Sequence, residues 1–183
     1  MREIHFDKIV AVLRRLCIDA NVEIRPDTIE AFHRALEQED SEIGRQVLKQ
    51  LIHNAEVAKE RRIPFCQDTG YAVVFVEFGQ QVHIVGGSFA EAINEGVRRG
   101  YQQGFLRKSM VRHPIERINT GDNSPAVIAT EIVPGDNLKI SLLIKGAGCD
   151  NVRALRIFTP AVGVVAARDL IVAPAERAGP SAS

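Results

Sequence analysis

The stretch YAVVFVEF, residues 71–78, constrains the fold of this chain more than any other. It is rich in β-branched and aromatic residues and its apolar run is nearly unbroken, so it reads as a largely buried strand. Such a strand needs neighbours in a sheet and cover from other elements. Two further strands are expected at about 126–133 and 138–144, joined by the turn residues Pro134-Gly135-Asp136. Val82–Val85 reads as an antiparallel partner of the first strand, across a short Gly-Gln turn.

The chain before residue 62 has helical period. Ile4, Ile9, Val12, Leu13 and Leu16 mark one face, with Cys17 beside it. Pro26 suits the opening of a second helix, roughly Asp27 to Glu39. Ser41 caps a third, which carries Ile43, Val47, Leu51, Ala55 and Ala58 until Pro64 ends it. Ser88 with Glu91 reads as a capping box opening a helix near 88–103, and one or two helices close the chain. The order predicts an α/β fold of the mixed α+β kind, with N-terminal helices followed by a mixed sheet and flanking helices.

Composition narrows the function classes. With 183 residues, one domain with a sizeable core is expected. Net charge is zero, so no long-range field draws the chain to nucleic acid or to an anionic membrane. No apolar run approaches the ~20 residues that span a bilayer. The N-terminus mixes charges into an amphipathic pattern without an apolar signal core, so a cytoplasmic location is expected. The three cysteines, Cys17, Cys66 and Cys149, are widely spaced and odd in number, which argues against a disulfide framework.

Three polar loops border the strands: CQDTG at 66–70, NTGDNSPA at 119–126 and KGAGCDN at 145–151. Loops on a rigid sheet are where sites are commonly built. Cys66 offers a soft thiolate suited to iron–sulfur or zinc, or is simply a small hydrophobe. Asp68 suits an acid or base, or a turn residue bonding its own backbone. NTGDN supplies amide, hydroxyl and carboxylate groups, or a long surface turn. GAG can present backbone N–H groups to an anion, but lacks the rest of a nucleotide-binding pattern. Arg107 and Arg112, just before NTGDN, can fork a carboxylate or form a solvated basic face. The five histidines are scattered, without a metal-binding spacing.

In combination these loops resemble the class I, iron–sulfur-dependent fumarate hydratase family. The resemblance is to its α subunit or N-terminal domain, as in fumarase or the L-tartrate dehydratase α subunit. It rests on NAEVAKERRIPFCQDTGYAVVFVEFG, LRKSMV, NTGDNSPAVIATEIVPGD and KGAGCDNVRAL, in that order, over most of residues 50–158. It implies a hydro-lyase that hydrates or dehydrates a small dicarboxylate at a [4Fe-4S] cluster held by three thiolates. It further implies Cys66 as a cluster ligand, Gln67 and Asp68 in contact with substrate, and Asp68 as acid or base. Arg107 would hold a carboxylate, and Gly146 and Gly148 would approach the substrate through their backbones.

The chain also departs from the family pattern. The other two cluster cysteines are expected further along than Ser183, and neither Cys17 nor Cys149 matches them. Cys17 reads as core; Cys149, where the family more often carries serine, is a substitute ligand or a small packed residue. The expected organisation is therefore a single domain over 1–183, with a helical preface at 1–62 and a strand and helix core at 63–183, truncated at its C-terminus. A β subunit or C-terminal domain and an oligomer are the expected partners, and the isolated chain is expected to be inactive. The alternative, from another class, is a cluster-free dicarboxylate-binding or regulatory subunit.

Overall fold

The computed structural model describes residues 1–146, 148 and 154–178. The chain divides into two compact units, Met1–Lys145 and Gly146–Ser183. The first begins with β1 (Arg2–His5), α1 (Phe6–Val22), α2 (Pro26–Gln38) and α3 (Glu42–Arg61). It continues with β2 (Tyr71–Gly79), β3 (Val82–Val85), α4 (Phe89–Gln103), β4 (Val127–Val133) and β5 (Leu138–Lys145). Helices with mixed sheets make this a mixed α/β fold, as its sequence predicts.

The apolar run at 71–78 becomes the middle strand of a sheet ordered β4-β2-β5. β4 runs parallel to it, with Val73 opposite Val127, and β5 antiparallel, with Tyr71 opposite Lys145. Successive strand side chains point to opposite faces. Ala72, Val74 and Val76 are buried on one face. Val74 and Val76 join Ile9, Val10 and Leu13 of α1 and Ala92 and Ile93 of α4 in one core cluster. On the other face Phe75, Val127 and Leu143 stay about half exposed.

The expected hairpin between β2 and β3 does not form. Both edges of β2 are taken by β4 and β5, and β3 instead pairs in parallel with β1, Arg2 opposite Val82. The exit from β2 is enclosed by the turn between β4 and β5. Gly79 N–H donates to the Asn137 carbonyl at 2.9 Å, and Gln80 N–H to that of Val133 at 2.9 Å. A Cβ at residue 79 would sit 2.6 Å from the Gly135 carbonyl oxygen, so only glycine fits there. Ile4, read as helical, lies in β1; its side chain enters the same core cluster as the first turns of α1, which is why its spacing mimics a helix.

α1 and α4 pack across a glycine seam. A Cβ on Gly96 would lie 2.4 Å from Leu13 Cβ, and one on Gly100 2.6 Å from Cys17 Cβ. The missing side chains allow backbone approach and bury Val97 and Tyr101 completely. Ser88 is the N-cap of α4, as expected, but its hydroxyl makes no capping bond. Its expected box partner Glu91 pairs with Arg98 instead, which dissolves the box. Ser41 does cap α3, accepting from Gly44 N–H at 3.3 Å. α3 stops at Arg62 (φ 55°), ahead of Pro64, where the Arg62 guanidinium reaches Asp19 at 2.5 Å and Glu23 at 2.7 Å.

In the second unit a 3-10 turn at Pro160–Val162 leads into α5 (Gly163–Ala178), which contains Pro174. Among the described residues no helix is long and apolar enough to cross a membrane.

Candidate active-site wall

Cys66, Gln67 and Asp68 occupy a short span pinned at both ends. Upstream, Phe65 N–H donates to the Asn21 carbonyl at 3.0 Å, and its own carbonyl accepts from Asn54 Nδ2 at 2.8 Å. Downstream, Thr69 and Gly70 are buried. The buried Tyr101 hydroxyl donates to their carbonyl oxygens, at 2.5 Å and 3.1 Å. Gly70 takes φ +54°, a region that glycine enters without penalty. Asp68 Oδ1 accepts Gly70 N–H at 3.0 Å, so the carboxylate folds the turn that presents it. Cys66 is exposed; its sulfur accepts Asp68 N–H at 3.4 Å and lies 3.5 Å from Gln67 Oε1.

The loop carrying Arg107 is bound to this span. Thr69 Oγ1 donates to the Arg107 carbonyl at 2.8 Å. The Arg107 guanidinium donates from Nε to Ser109 Oγ at 3.1 Å. NTGDN supplies the third strand of the knot. Asn123, fully buried, donates from Nδ2 to the Gly70 carbonyl at 3.0 Å, and its Oδ1 accepts Ser109 N–H at 2.8 Å and Met110 N–H at 3.0 Å. Asn119 Nδ2 donates to the Lys108 carbonyl at 2.9 Å. Thus CQDTG, LRKSM and NTGDN, remote in sequence, form one wall.

Arg107, Lys108, Arg112 and Arg117 form no ion pair among the described residues, whereas Arg34, Arg62, Arg98 and Arg99 each meet a carboxylate. Burial alone would raise the Asp122 carboxyl, but hydrogen bonds from the Ser124 N–H, the Ser124 hydroxyl and the Thr120 hydroxyl outweigh it and hold it below its usual value. Asp122 therefore stays anionic and braces its own loop.

Cys17 lies within α1, is fully buried and has its thiol pushed up to about 12 by that burial, so it is a packed thiol. Among the described residues no three His, Cys, Asp or Glu side chains gather where they could hold a metal ion. Among the described residues Cys66 is the one exposed thiol. One thiolate does not make a cluster site, which takes a set of cysteines. Gly146 and Gly148 belong to the second unit, and Cys149 lies outside the described residues. β5, which leads to Gly146, ends at Lys145 opposite Tyr71, the residue after Gly70.

The sequence presents Thr69 and Asn123 only as members of CQDTG and NTGDN and does not single out Tyr101, nor does it show that these three side chains assemble the wall. Thr69 and Asn123 lie just before apolar runs, where a buried polar group requires partners; Tyr101, between Gly100 and Gln102, carries no such signal.

Residues 10–183 match the family model of fumarate hydratase (Fumerase). The chain is 32% identical over 180 residues to a putative L(+)-tartrate dehydratase subunit alpha of Methanocaldococcus jannaschii, covering 94% of this chain and 62% of that protein. It is 35% identical over 136 residues to the anaerobic class I fumarate hydratase of Escherichia coli K12, covering 73% of this chain and 25% of that protein. It is 22% identical over 161 residues to the L(+)-tartrate dehydratase subunit alpha of Escherichia coli UTI89, covering 86% and 52%. The chain thus spans less than two thirds of the length of each of these relatives. The match runs through all three loops of the wall, and on it the chain belongs to the class I fumarate hydratase family.

Proposed function

We propose that this chain is the α-type part of a hydro-lyase that adds water to, or removes it from, a small dicarboxylate. The observation that carries this reading is the joining of CQDTG to the Arg107 loop by hydrogen bonds from Thr69 and Asn123, with the Arg107 guanidinium Nη groups left without an ion pair among the described residues. A dianionic substrate needs a fixed cation, and a guanidinium matches a carboxylate in a bidentate fork. Asp68 is the group that moves a proton, and Gln67 orients the substrate beside it.

Cys66 is one ligand of a [4Fe-4S] cluster whose other thiolates come from a β subunit or a further segment. When bound, the cluster supplies a Lewis acid for the departing hydroxyl. The described residues fit one corner of that group and no more, so the chain alone is inactive and works within an assembly. A single exposed thiol among the described residues also suits a second reading, a cluster-free subunit that binds a dicarboxylate without turnover.

Anaerobic co-expression with a partner carrying the remaining cysteines, followed by iron and sulfide analysis, separates the two. A brown, oxygen-labile complex that hydrates fumarate or dehydrates tartrate, and loses its iron in Cys66→Ser, supports the first. A colourless complex that binds the diacid supports the second. Hydration by the isolated chain after cluster reconstitution overturns the half-site reading.

A further inference from the structure

Asn123 stands between the two groups assigned to the substrate. On one side its Nδ2 donates to the Gly70 carbonyl, and Gly70 N–H donates in turn to Asp68 Oδ1. On the other its Oδ1 accepts Ser109 N–H, and Ser109 Oγ accepts Arg107 Nε. One residue therefore lies between Asn123 and each group. The amide is buried, so every donor and acceptor it loses stays unsatisfied. Its own N–H is held by Thr120 Oγ1 at 3.2 Å, in a left-handed backbone at φ 63°, so the node is fixed to its loop as well. Tyr101 also holds Gly70, and its hydroxyl meets the Asn123 and Asn21 side chains as well, but no hydrogen bond runs from it to Ser109 or Arg107 among the described residues.

We propose that Asn123 is a positioning residue that sets the separation between Asp68 and Arg107, acting through Gly70 on one side and Ser109 on the other. An amide is the side chain suited to the task, because it donates in one direction and accepts in the other. An aspartate keeps the acceptor toward Ser109 and Met110 but turns a second oxygen against the Gly70 carbonyl. Arg107 holds one carboxylate of the substrate and Asp68 moves its proton, so the fixed span sets where the substrate's carbon chain stands relative to the group that moves the proton. This inference rests on the dicarboxylate reading above, and its test carries one readout that does not.

The full chain and its N123D, S109A and N123D/S109A variants are titrated with fumarate and with propionate, and Cys66 is alkylated with iodoacetamide under native conditions. N123D is expected to weaken fumarate and propionate binding alike by ~10-fold, since both present a carboxylate to Arg107, the loss expected for one buried hydrogen-bond partner. S109A, which cuts the link to the guanidinium and spares the buried core, is expected to give part of the same loss. The double variant is expected to fall short of the product of the two, because both act along one path. Losses that multiply, or fumarate binding unchanged in N123D, overturn the proposal. Failure of the unmodified chain to bind fumarate counts against the dicarboxylate reading alone. In that case a change of ~3-fold or more in the Cys66 alkylation rate of folded N123D supports Asn123 as the node of the wall, and an unchanged rate overturns it. If N123D does not fold, S109A decides, and fumarate binding unchanged in it overturns the proposal.

Discussion

Two helix pairs in the first unit are built by opposite means. α1 and α4 meet through Gly96 and Gly100, close enough that an added methyl would overlap Leu13 or Cys17, and both helices bury a full face. α2 has no buried residue at all, and it faces α3 across an open cleft of about 460 Å³ lined by Ile24, Ile29, Ile52 and Ala55. α3 adds Ile43, Val47 and Leu51 as exposed apolar side chains. Packed interiors lose contacts with every methylene removed or added, whereas a half-open cleft relaxes. The candidate site hangs on the tight pair: Tyr101 of α4 holds Thr69 and Gly70, and Asn21 of α1 holds Phe65. Groups that must keep a fixed spacing are supported by the closely packed pair rather than by the open one.

This contrast has measurable consequences, and the largest tests it directly. Leu13→Ala is expected to cost about 2–5 kcal/mol in urea unfolding, against less than about 1 kcal/mol for Ile29→Ala at the cleft. Equal losses would erase the distinction between the pairs. Gly100→Ala follows, at roughly 1–3 kcal/mol, because its Cβ meets Cys17 Cβ and the Arg14 carbonyl rather than a flexible side-chain end. Tyr101→Phe is expected to cost about 1–2 kcal/mol, leaving the Thr69 carbonyl oxygen short of a donor while Gly70 keeps Asn123, and to speed alkylation of Cys66.

Alkaline pH reads the same seam without mutation. The folded chain holds the Cys17 thiol at about 12, against 9.0 for a free thiol, so the unfolded chain releases its proton first as pH rises. The stability tied to this group is complete below pH 9 and declines from there toward about 12, by on the order of 1 kcal/mol at pH 10. Burial raises the Tyr101 hydroxyl in the same direction, above its usual value. Cys17→Ala should flatten the first part of that decline; a curve identical to the unmodified chain would place its cause elsewhere. The smallest effect belongs to the surface of α2. The Arg34–Glu30 pair, at 2.6 Å, is exposed on both sides, and Arg34→Ala should change stability by less than about 0.5 kcal/mol.

Local chemistry was readable without a structure. The bounds of α2 and α3, the Ser41 cap and the strands at 71–79, 127–133 and 138–145 follow from period, propensity and turn residues acting within a few positions. So did the choice of CQDTG, LRKS and NTGDN as the chemically loaded loops. Pairing was not readable. β1 was hidden because Ile4 continues the apolar spacing of α1, and β3 was assigned to β2 because proximity along the chain favours a hairpin.

The amino-acid sequence by itself determined which segments are helix or strand, which loops carry polar groups, and family membership, since each depends on residue type and order. The tertiary structure alone decided that β2 lies between β4 and β5, that glycines let α1 and α4 touch, and that Asn123 links Asp68 to Arg107. Those outcomes depend on which edges are already occupied and on where a buried donor finds its acceptor. Both are properties of the packed chain, and in this site the hydrogen bonds from Asn123 to Gly70 and from Tyr101 to Thr69 span tens of residues.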